Sequence, residues 1–472
     1  GRRCGLTTAY RCPMSHRRRA LGLVVGLSLG AVACAAGTGT EVKGSGDEVP
    51  ADPAAAEAAA GPLLDLAVEL EQQLATENPG ADLAIAPLPV AASLAQLREG
   101  AGGTTADELD RVLHTPEAPG AADELALGLS SLQRTFESRE GNQRDATTRT
   151  GNVSIDLADS LWIQKGTTLE RPWLDRLATT WGTGVRTTDF RSDPETARKA
   201  VNGWVDDATD GHIDQLAPRG SISPTTRILS AGAAYLKAPW VTPFAETDTR
   251  LEPFRHLDGS STKVPMMRIP DLTDARYGRG EGWVAVDLPY LGRSLWMTLI
   301  VPDVGRFTDV EQALEGDGLH QLLTTLTPTT LDLTMPKFGF TTDVPLTDAL
   351  RALGLTDATD PAAADYGGIS PEPLSLTSVL HQTYLAVAEQ GTEATASAPA
   401  PKPSDTTTPR ATGTSRAPGT NGTGSTTTTL PAARPSAPGA VVVRVDGPFL
   451  VLVRDRPTGA PLLYGRVLSP NS

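Results

Sequence analysis

The chain's 472 residues include 41 lysines and arginines against 56 aspartates and glutamates, and the net charge of −15 disfavours nucleic acid and anionic lipid headgroups as partners. Three cysteines and six histidines, with no HxxxH or HxH spacing, argue against a disulfide framework, a zinc centre or any other metal site. The 46 glycines and 38 prolines dilute an otherwise globular composition, so the length, which alone admits roughly two to three domains, is read as one large domain with tails.

Residues 14–34, "MSHRRRALGLVVGLSLGAVAC", have three arginines, a short apolar run and small residues before a cysteine, the layout of an export signal. "AVAC" resembles a lipoprotein signal-peptidase site, which makes residues 1–33 a removed signal segment and Cys34 the lipidated first residue. Ala31 stands where leucine is usual, and ordinary secretory cleavage or a short membrane anchor are the alternatives. Residues 1–13, ahead of Met14, read as an over-extended start. Removal takes away six arginines and also Cys4 and Cys12, which leaves a charge of −21 and Cys34 alone, so no disulfide is available within one chain.

Residues 34–61 are Ala/Gly/Glu-rich and aperiodic and read as a disordered tether. The fold is expected to begin near Pro62, with Leu63, Ala67, Leu70 and Leu74 at helical spacing. In "TADEL", Thr105 and Glu108 have capping-box spacing and predict a second helix start. Residues 153–164 read as a strand. Residues 193–210 read as a helix capped by Asp193 that buries Ala197, Val201, Trp204 and Val205. Strands follow at 226–236, 283–301 (a hairpin broken by "LGR"), 330–335, 376–388 and across 441–468 around the turn "RPTG". Helices early and strands late point to an α+β class.

Between two strands that look buried, residues 397–440 form a 44-residue stretch of Thr, Pro, Ala, Ser and Gly. A structureless loop of that length inside a domain is commonly functional. Its charges, Lys402, Asp405, Arg410, Arg416 and Arg434, sum to +3 in an acidic protein, which suits it as a protease substrate.

Several stretches carry a family likeness. "AEQGTEATAS" (388–397) resembles the hinge of a serpin reactive-centre loop, and "VDGPFLVLVRDRPTGAPLLYGRVLSP" the family's C-terminal signature. "LREGAGGTTADELDRVL", "ARKAVNGWVDDATDGHI", "AAYLKAPWVTPFAETDTRLEPF", "VPMM" and "MPKFGF" follow the family's order, from about residue 62 to 470. The resemblance implies a single α+β domain, residues 62–472, with three β-sheets, surrounding helices and an exposed reactive loop. It implies a monomeric inhibitor of serine, or also cysteine, proteases, with no catalytic residue of its own and no cofactor. The protease attacks the loop and forms an acyl-enzyme; the cut loop then inserts into the largest sheet and carries the protease with it, an example of strand addition the family is known for.

The hinge then comprises Glu389, Gln390, Gly391, Thr392, Glu393, Ala394, Thr395 and Ala396. Gly391 gives the turn its freedom, while Thr392, Ala394, Ala396 and Ala398 share one face at period two and are small enough to enter a core. By resemblance, Lys337 and Glu389 match a salt bridge where the sheet opens, Trp240 a tryptophan near that point, and His381 the histidine of the network that governs strand separation.

Three departures stand out. The family's Ser-Pro-x-Ser turn is "APLP" here, with Ala86 and Pro89 in the serine positions, and Gly232 replaces an asparagine, so His381 lacks expected partners. The span from Gly391 to Phe449 is 58 residues, about twice the family's. Candidate scissile positions are therefore several: Asp405–Thr406 counting from the hinge, Ala437–Pro438 counting back from the Pro-Phe pair, and Arg410, Arg416 and Arg434 by chemistry. Pro399, Pro401 and Pro403 each remove a ladder hydrogen bond from an inserting strand. The competing reading is a non-inhibitory serpin-fold protein whose loop binds a partner or acts as a cleavable sensor. An enzyme reading on "SSTK" (260–263) fails because the motif leads into a strand pattern and lacks its partner motifs.

Overall fold

The computed structural model describes residues 39–145, 148–315, 317–392 and 434–470. The signal segment, Cys34, Glu393, Ala394, Thr395, Ala396, Asp405, Thr406, Arg410 and Arg416 lie outside these residues.

Three sheets and nine α-helices make up the described fold. The main sheet runs in the order Thr40–Val42, Val185–Thr188, Thr150–Gln164, Ile228–Pro239, Gly391–Thr392, Leu376–Ala388 and Phe338–Pro345, with Gly141–Arg144 paired beside Thr150–Gln164. A seven-stranded sheet runs from Thr327–Pro328 through Arg276–Gly280, Trp283–Pro289, Leu295–Pro302, Phe449–Asp455 and Pro461–Val467 to Leu83–Ile85. The third has Val441–Arg444, Leu331–Pro336, Ser261–Leu272 and Arg250–Arg255. In strand Phe449–Asp455, buried throughout, residues Phe449–Val453 form a continuous apolar run rather than an alternating one, because both faces of the strand are covered. Helix Pro194–Ala208 starts at Asp193, whose carboxylate accepts from the Thr196 amide at 3.0 Å, and its buried face includes Ala197, Val201, Trp204 and Val205, as the spacing predicts.

Two expectations are corrected. The stretch read as a disordered tether holds strand Thr40–Val42 and the first turns of helix Pro53–Glu77, which begins well before Pro62 and keeps that proline inside it. Asp52 caps the helix by accepting from the Ala54 and Ala55 amides at 2.9 and 3.2 Å. Alanine is the strongest helix former, and Ala56, Ala59 and Ala60 are buried; the small residues allow close approach to helix Ala121–Glu137. A Cβ on Gly128 of that helix would lie 2.5 Å from the Ala55 carbonyl oxygen. What reads as low complexity is a small-residue packing face.

The second correction concerns Thr105 and Glu108, which lie inside helix Gly103–Val112, whose cap is Gly102. Thr105 accepts from the Asp365 amide at 2.9 Å, and Glu108 accepts from the Asp357 and Ala358 amides, both at 3.0 Å. The pair anchors a distant segment instead of its own helix start.

Candidate functional site

Strand Leu376–Ala388 runs through the main sheet, and the chain reverses at Glu389 and Gln390, so that Gly391 and Thr392 return as a two-residue strand. This strand lies between two others. Gly391 and Thr392 pair antiparallel with Pro239 and Ala238 on one side and with Ala388 and Val387 on the other. Further along, Leu376–Tyr384 pairs in parallel directly with Ile228–Tyr235. The sheet is thus parted at one end by two residues of the loop and closed along the rest of its length.

Only glycine fits at the reversal. Gly391 has φ of 153°, and a Cβ there would stand 2.2 Å from the Ala238 carbonyl oxygen and 2.6 Å from the Pro239 Cα. Thr392 is fully buried, and its hydroxyl is hydrogen-bonded to the Tyr290 hydroxyl. Burial pushes the Tyr290 phenol above its ordinary range, so it stays neutral.

Trp240 caps the reversal. Its amide donates to the Gln390 carbonyl at 2.9 Å, its indole N–H donates to the Ala388 carbonyl at 3.1 Å, and its ring stacks on Tyr290 at 4.5 Å. Lys337 Nζ lies 3.0 Å from Glu389 Oε2, and Thr249 donates to Glu389 Oε1 at 2.9 Å. Burial raises the Glu389 carboxyl, but the hydrogen bonds from Lys337 and Thr249 outweigh it and hold the group below its ordinary value. Lys337, Trp240 and Glu389 are therefore brought together around the turn.

His381 lies deeper, on the same strand and opposite Gly232. Its Nε2 accepts from the Ala86 amide at 3.1 Å and contacts the Thr383 hydroxyl at 2.9 Å, which places the ring proton on Nδ1. That Nδ1 is buried without a hydrogen-bond partner, next to the face where Gly232 and Pro89 offer no polar group. Burial lowers the histidine's pKa to about 4, so it is neutral at ordinary pH. Ala86 precedes helix Pro87–Arg98 with no side-chain cap. The departures noted in the sequence surround this one ring.

Arg434 lies at the foot of the loop. Its guanidinium reaches Asp271 at 3.3 Å and Asp248 at 3.6 Å, and its carbonyl accepts from Arg268 at 2.7 Å. The Ala437 amide donates to the Pro270 carbonyl at 3.0 Å. Both positions are engaged by the body, which does not suit them to enter a protease cleft. Tyr290, Thr249 and Thr383 were not singled out from sequence. Thr383 carried a signal, since period two places it on the face of His381, whereas Tyr290 and Thr249 come from distant segments.

The family model for Serpin (serine protease inhibitor) matches residues 63–470. The chain belongs to the serpin family. An uncharacterized serpin-like protein of Thermococcus kodakarensis is 29% identical over 403 residues, covering 85% of this chain and 83% of its relative. Antithrombin-III of Mus musculus is 30% identical, covering 68% and 64% of the two chains. Among solved structures, maspin superposes with a TM-score of 0.70 at 21% identity, covering 88% of this chain and all of maspin. Thyroxine-binding globulin complexed with thyroxine superposes with a TM-score of 0.69 at 21% identity, over 88% and 99% of the two chains. The fold of three sheets with surrounding helices is shared with these two solved structures.

Proposed function

We propose that this serpin is a monomeric, exported inhibitor of serine, or also cysteine, proteases that traps its target as an acyl-enzyme by inserting its cut loop into the main sheet. The observation that carries this reading is the two-residue strand Gly391–Thr392, already seated between Ile228–Pro239 and Leu376–Ala388. It is the first step of the strand addition that inhibition requires. Continued in the same register, the loop would bring Ala394 opposite Leu236 and Leu385, Ala396 opposite Ala234 and Thr383, and Ala398 opposite Gly232 and His381. Leu236, Leu385, Ala234, Thr383, Gly232 and His381 are all buried, so only small side chains fit. The protease nucleophile adds to a loop carbonyl, the amine leaves with a proton, and insertion moves the ester or thioester away from the protease's own water.

The "AVAC" site and the preceding arginines support export and a lipid anchor on Cys34, which would place the body outside the cytoplasm with no other membrane contact. A second reading, a non-inhibitory serpin whose loop binds a partner or serves as a cleavable sensor, is favoured by Pro399, Pro401 and Pro403 and by the long span to Phe449.

The two separate on incubation with trypsin-like, subtilisin-like and chymotrypsin-like proteases followed by a denaturing gel. A covalent complex supports inhibition. Loop cleavage with no complex and full residual protease activity supports the second reading.

A further inference from the structure

The residues read as a tether are held along a continuous path. Thr40, Glu41 and Val42 pair with Thr187, Arg186 and Val185, covering the outer edge of the main sheet. Beyond them, the Ser45 amide and hydroxyl donate to Asp175 of helix Arg171–Thr180 at 2.6 and 3.0 Å, and the Val49 amide donates to the Thr179 carbonyl at 2.8 Å. Glu48 pairs with Arg134 at 2.6 Å, and the Asp52 amide donates to Ser131 at 3.0 Å; both partners belong to helix Ala121–Glu137. The approach is tight between backbones: a Cβ on Gly44 would stand 2.1 Å from the Leu174 carbonyl oxygen and 2.4 Å from the Asp175 nitrogen. A spacer has no need of such a fit.

What the segment connects gives it a role. One end is bonded to strand Val185–Thr188, which is paired through Thr150–Gln164 to Ile228–Pro239, the strands on the far side of Gly391–Thr392 from Leu376–Ala388. The other end runs into helix Pro53–Glu77, whose Leu64, Ala67 and Val68 pack on Ala285, Ile300, Leu450 and Leu452 of the seven-stranded sheet. Widening the main sheet would shift the first end against the second, and the segment is bonded at both: at Thr40–Val42 to strand Val185–Thr188, and at Glu48 and Asp52 to helix Ala121–Glu137, which packs on helix Pro53–Glu77.

We propose that residues 39–52 form a strap that restrains opening of the main sheet and so slows loop insertion, a role that rests on the insertion reading above. The strap lies before the residues matched by the family model and is a feature of this chain's own N-terminal segment.

The test compares the full chain with its Gly44→Val and Glu48→Arg variants. Gly44→Val pushes the strap off helix Arg171–Thr180, and Glu48→Arg sets two cations against each other at Arg134. The strap's side chains are largely exposed, so both variants keep the core. A fluorescein-labelled peptide with the sequence of residues 391–398 is added in excess and its uptake is followed by anisotropy. Uptake by both variants is expected to be roughly tenfold faster than by the unmodified chain, the change expected when a few hydrogen bonds no longer have to break before the sheet parts. A strand that only covers a sheet edge would leave this rate unchanged. Equal or slower uptake by the variants, with uptake by the unmodified chain intact, overturns the strap and spares the insertion reading. No uptake by any of the three chains, with no rise in unfolding temperature after loop cleavage, overturns both.

Discussion

Replacing Gly391 with alanine tests whether the seated pair of residues is the structural basis of the hinge. The added Cβ would be 2.2 Å from the Ala238 oxygen, 2.6 Å from the Pro239 Cα and 3.0 Å from the Ala238 carbonyl carbon. All three are backbone atoms of a central strand, so no side chain can move aside, and a φ of 153° is itself unfavourable for alanine. The two-residue strand therefore leaves the sheet. The hydrogen bonds from the Trp240 amide to Gln390 and between Tyr290 and Thr392 go with it, as do the ladder bonds of the pair. At about 0.5–1.5 kcal/mol net for each bond, the loss comes to about 2–4 kcal/mol. The uncleaved protein should unfold several degrees lower, and the covalent complex with a target protease should give way to simple cleavage. Differential scanning calorimetry and a denaturing gel measure the two. An unchanged transition together with an undiminished complex would show that the seated strand is incidental.

Three further outcomes are expected. Thr392→Arg places a charge in a fully buried site beside Tyr290 and should convert an inhibitor into a substrate, read as the ratio of cleaved to complexed protein. Because the folded pKa of His381 is lowered to about 4 from an ordinary 6.5, the unfolded chain binds the extra proton first; the stability this group contributes is present above about 6.5 and is lost as the pH falls towards 4, on the order of 3 kcal/mol in all. His381→Gln should flatten that part of a pH titration of urea midpoints, and an unchanged slope would remove His381 as its source. Glu71 is fully buried near Glu311 and Arg466, and burial followed by the Glu311 charge pushes its pKa up. A raised acid weakens the fold as the pH climbs from the ordinary carboxylate range, so Glu71→Gln should stabilise the protein at mildly alkaline pH and leave it unchanged at pH 4.

Much of the fold was legible because its signals are local. Strand Leu376–Ala388 and helix Pro194–Ala208 follow from hydrophobic period and from Asp193 beside a proline. Residues 40–61 were not legible, since alanines packed against alanines and glycine leave no apolar stripe to find, and strand Thr40–Val42 is held by backbone pairing to Val185–Thr188. Thr105 and Glu108 misled because their spacing is right for a capping box while their partners, Asp365 and residues 356–358, lie some 250 positions away. At the hinge, Gly391 and Glu389 were legible from the resemblance, whereas Tyr290, which both stacks on Trp240 and bonds to Thr392, comes from a separate strand end and no sequence pattern joins the three.

The register of the seated pair links two features that look independent in sequence. Carried forward, it sets Ala398 beside Gly232 and His381, the row where Ala86, Pro89 and Gly232 replace polar residues, and Pro399 comes next, opposite Ala231 and Leu380. The end of the insertable stretch and the altered network therefore fall at one depth of the sheet. A loop that stops at this row needs the strands parted only as far as His381, and does not require the hydrogen-bond exchange that the missing serines and asparagine would support beyond it. Hydrogen exchange on protein cleaved within residues 405–433 measures this depth. Amides of strand Ile228–Pro239 from Gly232 to Ala238 should gain protection, and those of Ile228–Ala231 should keep their uncleaved rates. Added protection running through Ile228 would mean that the prolines are accommodated and insertion passes this row; no gain at any position would mean that the loop stays outside the sheet after it is cut.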